Sequence, residues 1–298
     1  DSPDLVLVGE WMPITVFKNT KGKLTDVTAE LGLSKTSGWW NSLTVSDLDG
    51  DGDLDFVAGN LGLNTKFRAS EQHPLTIYAA DFDTNGSVDA ITCRFTEGKE
   101  KPIHQRDELL AQINGLEKKY PRYAMFAAAS VQEMFGEKAL SGAYFRECHQ
   151  LESACFINEN GRFTIKKLPV LAQTAPVNAI ICEDFNADHH ADLLLAGNSF
   201  SPNISTGQCD AMNGLLLLGD GAGDFEPIGA GRSGFFVEGV GKSLKTVQLK
   251  SGKRLILVGM NGGKLEVFEV PAASRFSEKN LSLVASPVKT SEAEKLPN

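Results

Sequence analysis

Apolar residues in this chain occur in short continuous runs that end in a glycine. Four copies lie at 5–9, 56–59, 193–197 and 255–259. Runs of this length are typical of strands that are buried on both faces. Their glycines lie 50, 138 and 62 residues apart. A spacing of 50–62 residues fits one four-stranded propeller blade with long loops, so the longest gap predicts two blades and an insertion.

Polar turns separate further apolar stretches along the chain. Asn, Gly and Asp clusters at 19–22, 158–161 and 219–223 each lie between two strand-like segments. This order of strand, turn and strand predicts β-hairpins. The hairpins and the apolar runs together indicate an all-β fold.

One segment, 102–142, departs from the strand pattern. Leu109, Ile113 and Leu116 recur at helical spacing, with charged residues between them. Pro121 is placed to begin a second helix and Gly136 to end it. A short third helix is expected at 137–140. The sequence therefore predicts a small helical insertion in an all-β frame.

Carboxylates recur at alternate positions in three loops, 47–55, 81–89 and 184–192, and each loop leads into a predicted strand. Like charges this close repel one another unless a cation lies between them. Ca²⁺ takes six to eight oxygen ligands from flexible acidic loops that contain a turn glycine. An EF-hand needs a glutamate at position twelve, where these loops carry Ala58, Thr92 and Leu195. All three place Asp at position nine instead, which predicts compact calcium loops in hairpins.

We therefore predict two to three Ca²⁺ sites. Side chains at positions one, three, five and nine would supply oxygens, and position seven a backbone carbonyl. The residues of these sites are Asp47, Asp49, Asp51, Asp53 and Asp55; Asp81, Asp83, Asn85, Ser87 and Asp89; and Asp184, Asn186, Asp188, His190 and Asp192.

The third loop departs from the pattern because His189 replaces the turn glycine. A histidine there must accept a left-handed backbone conformation at some energetic cost. The last unit carries lysines at 250 and 253 instead of carboxylates, and we predict no metal there.

Composition narrows the function classes. The 298-residue chain is 42% hydrophobic and has a net charge of −9, which argues against nucleic-acid binding. It has no apolar stretch approaching the roughly 20 residues that span a bilayer. Its five cysteines form no CxxC pair, so they predict neither a zinc site nor a disulfide framework. We expect the cysteines to be small apolar residues that are buried in the core. Whether Cys93 contacts Cys155 is left open.

Taken together, the DxDxDGxxD-type loops resemble those of the FG-GAP/VCBS repeat proteins, whose calcium-loop blades are also seen in the integrin α-subunit propeller. The run 218–225 is similar to the outer hairpin of such blades. Segments 38–60 and 102–110 resemble secreted VCBS-repeat proteins of Bacteroidetes-type bacteria. The resemblance implies a β-propeller of four-stranded blades over 1–270, with the helical insertion 102–142 and a partly loose extension at 271–298.

The blade number stays open at about 4–5, or the chain forms part of a larger propeller. The pattern predicts that the chain begins inside a blade. Either its first strands complete the last blade, or the chain is a piece of a longer propeller.

The leading functional hypothesis is an extracellular, cell-surface or periplasmic module that binds a glycan or protein, with calcium in a structural role. Adjacent strand residues face opposite sides, so one of Trp39 and Trp40 is expected to be exposed, and we assign sugar stacking to Trp40. His104 and Arg106 are further candidate ligand-binding residues. The alternative is a polysaccharide lyase or hydrolase with its site near the helical insertion, where a Tyr/His/Arg set would abstract and return a proton. The candidates are His104, Arg106, Asp107 and Glu108 at the start of the insertion and Tyr120, Arg122 and Tyr123 at its bend. A third hypothesis is an architectural role in which the insertion docks onto a larger assembly.

Overall fold

A computed structural model describes residues 2–200 and 207–270, and strands dominate them. The strands are β1 Leu5–Leu7, β2 Glu10–Met12, β3 Thr15–Thr20, β4 Lys23–Asp26, β5 Gly38–Trp39, β6 Ser42–Ser46, β7 Asp55–Gly59, β8 Leu75–Ala80, β9 Asp89–Thr96, β10 Lys99–Pro102, β11 Tyr144–Cys148, β12 Ala154–Asn158, β13 Phe163–Lys167, β14 Val177–Glu183, β15 Asp192–Gly197, β16 Leu215–Gly219, β17 Phe225–Ile228, β18 Gly241–Gln248, β19 Arg254–Met260 and β20 Glu266–Val270. The helices are α1 Arg106–Gln112, α2 Leu116–Lys119, α3 Tyr123–Ala128, α4 Val131–Phe135, α5 Glu137–Ser141 and α6 Ala230–Ser233, with a 3₁₀ turn at Val170–Gln173. The prediction of an all-β frame is confirmed.

The strands pair in separate antiparallel sheets. Their orders are β1-β3-β4, β13-β12-β7-β6, β10-β9-β8-β11, β14-β15-β16-β17 and β18-β19-β20, with a small β2-β5 pair. Among the described residues, no sheet closes on itself. The expected extension at 271–298 lies outside the described residues.

The sheet of β6, β7, β12 and β13 is interrupted in sequence. Its strand β7 pairs directly with β12, with Phe56 opposite Phe156 and Ala58 opposite Ala154. The chain therefore leaves this sheet after Gly59 and returns at Ala154. Helices α1–α5 lie inside the segment 102–142, where helices were predicted. The three expected helices are five, because the first is divided into α1 and α2 and the second into α3 and α4. However, the excursion also contains the whole sheet β8–β11, which the sequence did not distinguish from the other strands.

Three sheets lie side by side. Strand β14 packs against β6 of one neighbouring sheet and against β18 of the other. The Ser42 hydroxyl donates to the Val177 carbonyl at 2.8 Å. On the other side, the Asn178 amide donates to the Gly241 carbonyl at 3.0 Å. The first strands of these three sheets are thus joined by hydrogen bonds as well as by packing.

Close backbone approach explains the glycines that end two of the four apolar runs, Gly59 and Gly197. A Cβ on Gly59 would overlap the carbonyl oxygen of Val177, and a Cβ on Gly197 would overlap that of Pro176. Each glycine is followed by a fully buried asparagine, Asn60 or Asn198. The Asn198 side chain donates to the Met212 carbonyl at 2.6 Å and accepts from the Met212 amide at 2.9 Å.

The two largest cores lie between these three sheets. Leu193 and Leu195 of β15 belong to one core, together with Val57. Leu194 of the same strand belongs to the next core, together with Val258. Strand β15 is therefore buried on both faces, as its continuous apolar run predicted.

The cysteines are free thiols. Cys93 lies on β9 and Cys155 on β12, and these strands belong to different sheets with different cores. The structure therefore excludes the contact between Cys93 and Cys155 that the sequence left open. Burial raises the pKa of both thiols, which fits their role as small apolar core residues.

Candidate functional site

The three acidic loops occupy the same structural position. Each connects two antiparallel strands: β6 to β7, β8 to β9, and β14 to β15. The last Asp of each loop is the first residue of the second strand. This confirms that the loops are hairpin connections and not the helix-flanked loops of an EF-hand.

The first carboxylate of each loop organises the loop backbone. Asp47 accepts hydrogen bonds from the amides of Gly50 at 2.7 Å and Gly52 at 3.0 Å. Asp184 accepts in the same way from Ala187 at 2.6 Å and His189 at 3.0 Å. In the second loop Asp81 accepts from Asn85 and Gly86, at 3.0 and 2.9 Å. The third and fifth positions continue this pattern, because each accepts from the amide two residues later.

Two positions in each loop adopt a left-handed backbone. At position six, φ is 91° for Gly52, 89° for Gly86 and 73° for His189. The left-handed conformation predicted for His189 is therefore confirmed. Position four also has a positive φ, and there Thr84 and Ala187 stand where the first loop has Gly50. Sequence reasoning missed this second strained position, because only the first loop has glycine at it.

The position-nine aspartate joins each loop to the rest of its sheet. Asp55 is fully buried, and its two oxygens accept from the Leu48 amide at 2.7 Å and the Asn158 amide at 2.8 Å. Asp192 is also fully buried and accepts from Phe185 at 2.8 Å and Gly219 at 2.9 Å. In both cases one partner lies in the loop and the other ends the neighbouring strand. This bracing role was not anticipated from the sequence.

The second loop is braced by the helical insertion instead. Asp89 accepts from the Phe82 amide at 3.1 Å and from the Gln112 side chain of α1 at 3.2 Å. The amide of Asn114 donates to Asp83 at 2.8 Å, and this hydrogen bond lowers the pKa of the Asp83 carboxyl. The loop and the end of α1 are thus held together by two contacts.

Two of the loops gather carboxylates closely enough to share one ion. One oxygen from each of Asp47, Asp49 and Asp55 lies within 4.8 Å of the others, and the same holds for Asp81, Asp83 and Asp89. Oxygens that bind one Ca²⁺ at 2.3–2.6 Å are at most about 5 Å apart. The residues present therefore fit a calcium ion.

The third loop is less ready for an ion. The side-chain amide of Asn186 turns toward the loop and donates to Asp188 at 2.7 Å, in place of an oxygen ligand at position three. His190, at position seven, packs its ring over Gly221 of the 219–223 turn. The backbone amide of the position-seven residue donates to the position-five side chain in all three loops.

Burial and crowding disfavour the charged form of two position-nine carboxylates, Asp55 and Asp192. Burial raises the pKa of Asp55, and the charges of Asp49 and Asp51 raise it further. Burial likewise raises the pKa of Asp192 to about 6, with Asp188 and Asp184 adding to the effect. A bound cation would reverse this effect by favouring the carboxylates.

Trp40 does not present a face for sugar stacking. It is 2% exposed, its Nε1 donates to the Thr36 carbonyl at 2.9 Å, and its ring packs 5.7 Å from that of Phe156. The prediction of an exposed Trp40 is wrong because the residue follows β5 and its side chain lies in a core formed by residues of β3, β7 and β12. Trp39 is half-buried between Trp11 and Phe67.

His104 and Arg106 border one cavity of about 580 Å³, together with Tyr123. His104 Nε2 accepts from the Thr92 amide at 3.2 Å, and burial lowers the pKa of this imidazole. Arg106 Nε donates to the Tyr120 carbonyl at 2.9 Å, and its guanidinium lies 5.0 Å from the Tyr123 ring centroid. The structure thus brings these candidate residues together. The His104 hydrogen bond joins the insertion to β9, whereas the Arg106 contacts join parts of the insertion to one another.

Comparison with known families bears on the first of the acidic loops. The model of the FG-GAP-like repeat matches residues 2–58. The chain carries an FG-GAP-like repeat. The matched segment runs from β1 almost to the end of β7 and includes the first loop, so the resemblance is confirmed there. The second and third loops lie beyond the matched residues. They resemble the first loop in the hydrogen bonds that their carboxylates accept from the loop backbone. No curated protein matches the chain. Within the described residues, no helix is long and apolar enough to cross a membrane.

Proposed function

We propose that this FG-GAP-like protein is a calcium-stabilised β-propeller that acts as an interaction module outside the cell. The observation that carries the proposal is the common geometry of the three acidic hairpin loops. Two of them gather three carboxylates within 4.8 Å, and these are the oxygen ligands that Ca²⁺ prefers.

The neighbouring sheets support the propeller arrangement. In a propeller, the first strand of each blade lies beside the first strands of the adjacent blades, around a central axis. Strand β14 has this relation to β6 and β18. The buried pair of Gly59 and Asn60 is repeated in the next sheet as Gly197 and Asn198. Such repetition is expected when successive blades pack by the same rule.

Calcium has a structural role in this proposal. The position-nine aspartates connect the loops to neighbouring strands, so an ion that orders a loop also stabilises its sheet. Extracellular calcium modules bind with Kd of about 10⁻⁴–10⁻³ M. At tenfold excess over Kd, each site contributes about 1.4 kcal/mol. Sites this weak suit a calcium-rich extracellular or periplasmic medium, where the module would bind a glycan or protein partner.

Thermal unfolding in excess Ca²⁺ and in EGTA tests the calcium sites. Two sites at tenfold saturation contribute about 2.8 kcal/mol, which corresponds to an increase in Tm of about 5–10 °C. Asp49→Ala and Asp83→Ala should each remove part of this increase. Mg²⁺ at the same concentration serves as the control, because its octahedral preference suits these loops less well. An identical Tm in Ca²⁺ and EGTA would contradict the proposal.

A further inference from the structure

A second cavity of about 580 Å³ lies on the inserted sheet, away from the acidic loops and from His104. Its floor is one face of the sheet β10-β9-β8-β11. Register places Thr76 opposite Glu147, Tyr78 opposite Phe145, and Phe95 opposite Glu100, so these six side chains project from the same face. The start of α4 forms a wall through Gln132. A cavity of this volume suits a ligand of one or two sugar units.

Aromatic rings remain partly uncovered in this cavity. Phe95 is 43% exposed and stacks in parallel on His73, with ring centroids 4.3 Å apart. Phe145 is 38% exposed and lies 4.9 Å from the ring of Tyr78. Such rings offer flat apolar faces to a ligand that is apolar on one side and polar on its rim. A pyranose ring has this character, because its C–H groups project from its faces and its hydroxyls from its edge.

A carboxylate is held in place beside these rings. Glu100 accepts hydrogen bonds from the Thr76 hydroxyl, from the Tyr78 hydroxyl at 3.1 Å and from the Gln132 amide at 2.7 Å. A carboxylate has about four acceptor positions, so one is left for a ligand hydroxyl. Burial raises the pKa of Tyr78, and the charges of Glu100 and Glu147 raise it further, so the phenol stays protonated and keeps orienting Glu100.

The charges of the cavity exclude acidic ligands. Glu100 and Glu147 both face the cavity. The ammonium of Lys99, which also borders it, is engaged by both oxygens of Glu133 at 2.8 and 3.1 Å. An added carboxylate or sulfate on the ligand would therefore meet two like charges.

We propose that this cavity binds an uncharged sugar unit of a glycan, which stacks on Phe145 and Phe95 and donates a hydroxyl to Glu100. The proposal rests on the interaction-module function and gives that module its ligand class and its site. It places ligand recognition on the inserted sheet and leaves the calcium loops as supports.

The test is isothermal titration of the calcium-loaded chain with neutral tetrasaccharides of glucose, of galactose, of mannose and of N-acetylglucosamine, and with a galacturonic acid tetramer. We expect at least one neutral glycan to bind and the acidic one not to bind. Phe145→Ala should weaken binding at least about fivefold, the size of a lost aromatic contact. Tyr144→Ala is the matched control, because Tyr144 is the preceding residue on β11, is 57% exposed and faces the other side of the sheet. It should bind as the unmodified chain does.

Glu100→Gln keeps the shape of the side chain and should also weaken binding, with an unchanged melting curve as evidence of folding. Failure of every neutral glycan to bind would overturn the proposal. Preferred binding of the acidic tetramer would overturn it, as would an equal effect of Phe145→Ala and Tyr144→Ala. These outcomes are distinct from failure of the proposed function, since a calcium-dependent Tm without glycan binding removes only the sugar site.

Discussion

Replacement of Asp55 by alanine separates two roles of this carboxylate. One is to accept hydrogen bonds that join the loop to a neighbouring strand, and the other is the proposed binding of calcium. In the folded chain this buried carboxylate accepts from the amides of Leu48 and Asn158. Alanine leaves both donors without that partner, and each unsatisfied buried donor costs about 1–3 kcal/mol. Burial raises the pKa of Asp55, so removal of its charge offsets part of this cost. We expect a loss of about 2–4 kcal/mol in the free energy of unfolding without calcium.

In the presence of calcium, the variant should lose a second contribution to its free energy of unfolding. Because the first site lacks one of its three gathered carboxylates, Asp55→Ala should also lose about 1.4 kcal/mol of the stabilisation at tenfold excess of Ca²⁺ over Kd. Urea unfolding followed by tryptophan fluorescence, in Ca²⁺ and in EGTA, measures both losses. The matched control is Asp53→Ala in the same loop, because its side chain is exposed and position seven would supply only its backbone carbonyl to the ion. This variant should change stability by less than about 0.5 kcal/mol in either condition.

The two outcomes that contradict the reasoning are different. If Asp55→Ala unfolds like the unmodified chain in EGTA, the bracing role is refuted. If it is less stable in EGTA but gains as much from calcium as the unmodified chain does, the carboxylate braces the sheet and is not a metal ligand.

Three further perturbations test separate parts of the structure. His189→Gly should raise the free energy of unfolding by about 0.5–1 kcal/mol, because glycine adopts a φ of 73° without the cost that histidine bears; a lower Tm would contradict this. Gly197→Ala should cost more than about 2 kcal/mol in urea unfolding because its Cβ meets the Pro176 carbonyl, whereas Gly231→Ala, which has open space, should change stability little. The contribution of the buried His104 to stability should fall as pH decreases below about 6.5, because its pKa is lowered and the unfolded chain binds the proton more readily, whereas the raised pKa of Asp192 acts in the opposite direction below about 6. His104→Gln should reduce that slope in pH-dependent urea unfolding, and an unchanged slope would assign it to other groups.

Local sequence patterns predicted much of the candidate site. Asp, Asn and Gly at fixed offsets are sufficient to bend a nine-residue loop, because the first carboxylate accepts from amides only three to five residues away. His189 was predicted to be left-handed for the same local reason. Thr84 and Ala187 were missed because neither residue type signals a positive φ.

Tertiary contacts overturned the prediction for Trp40. Its sequence neighbourhood shows only that adjacent residues of a strand face opposite sides. Which side is covered depends on Phe156, which lies on β12, beyond the inserted sheet. His104 is similar, because the amide that its ring accepts from belongs to Thr92 of a neighbouring strand.

The sequence alone determined where strands, helices and acidic turns form, since those depend on side-chain periodicity and on backbone preferences over a few residues. Only the tertiary structure decided that β7 pairs with β12 across a whole inserted sheet, and that Asp55 and Asp192 brace neighbouring strands. The physical reason is that the apolar strands of this chain resemble one another. Their partners are selected by the fit of buried faces over long sequence separations, which no short segment encodes.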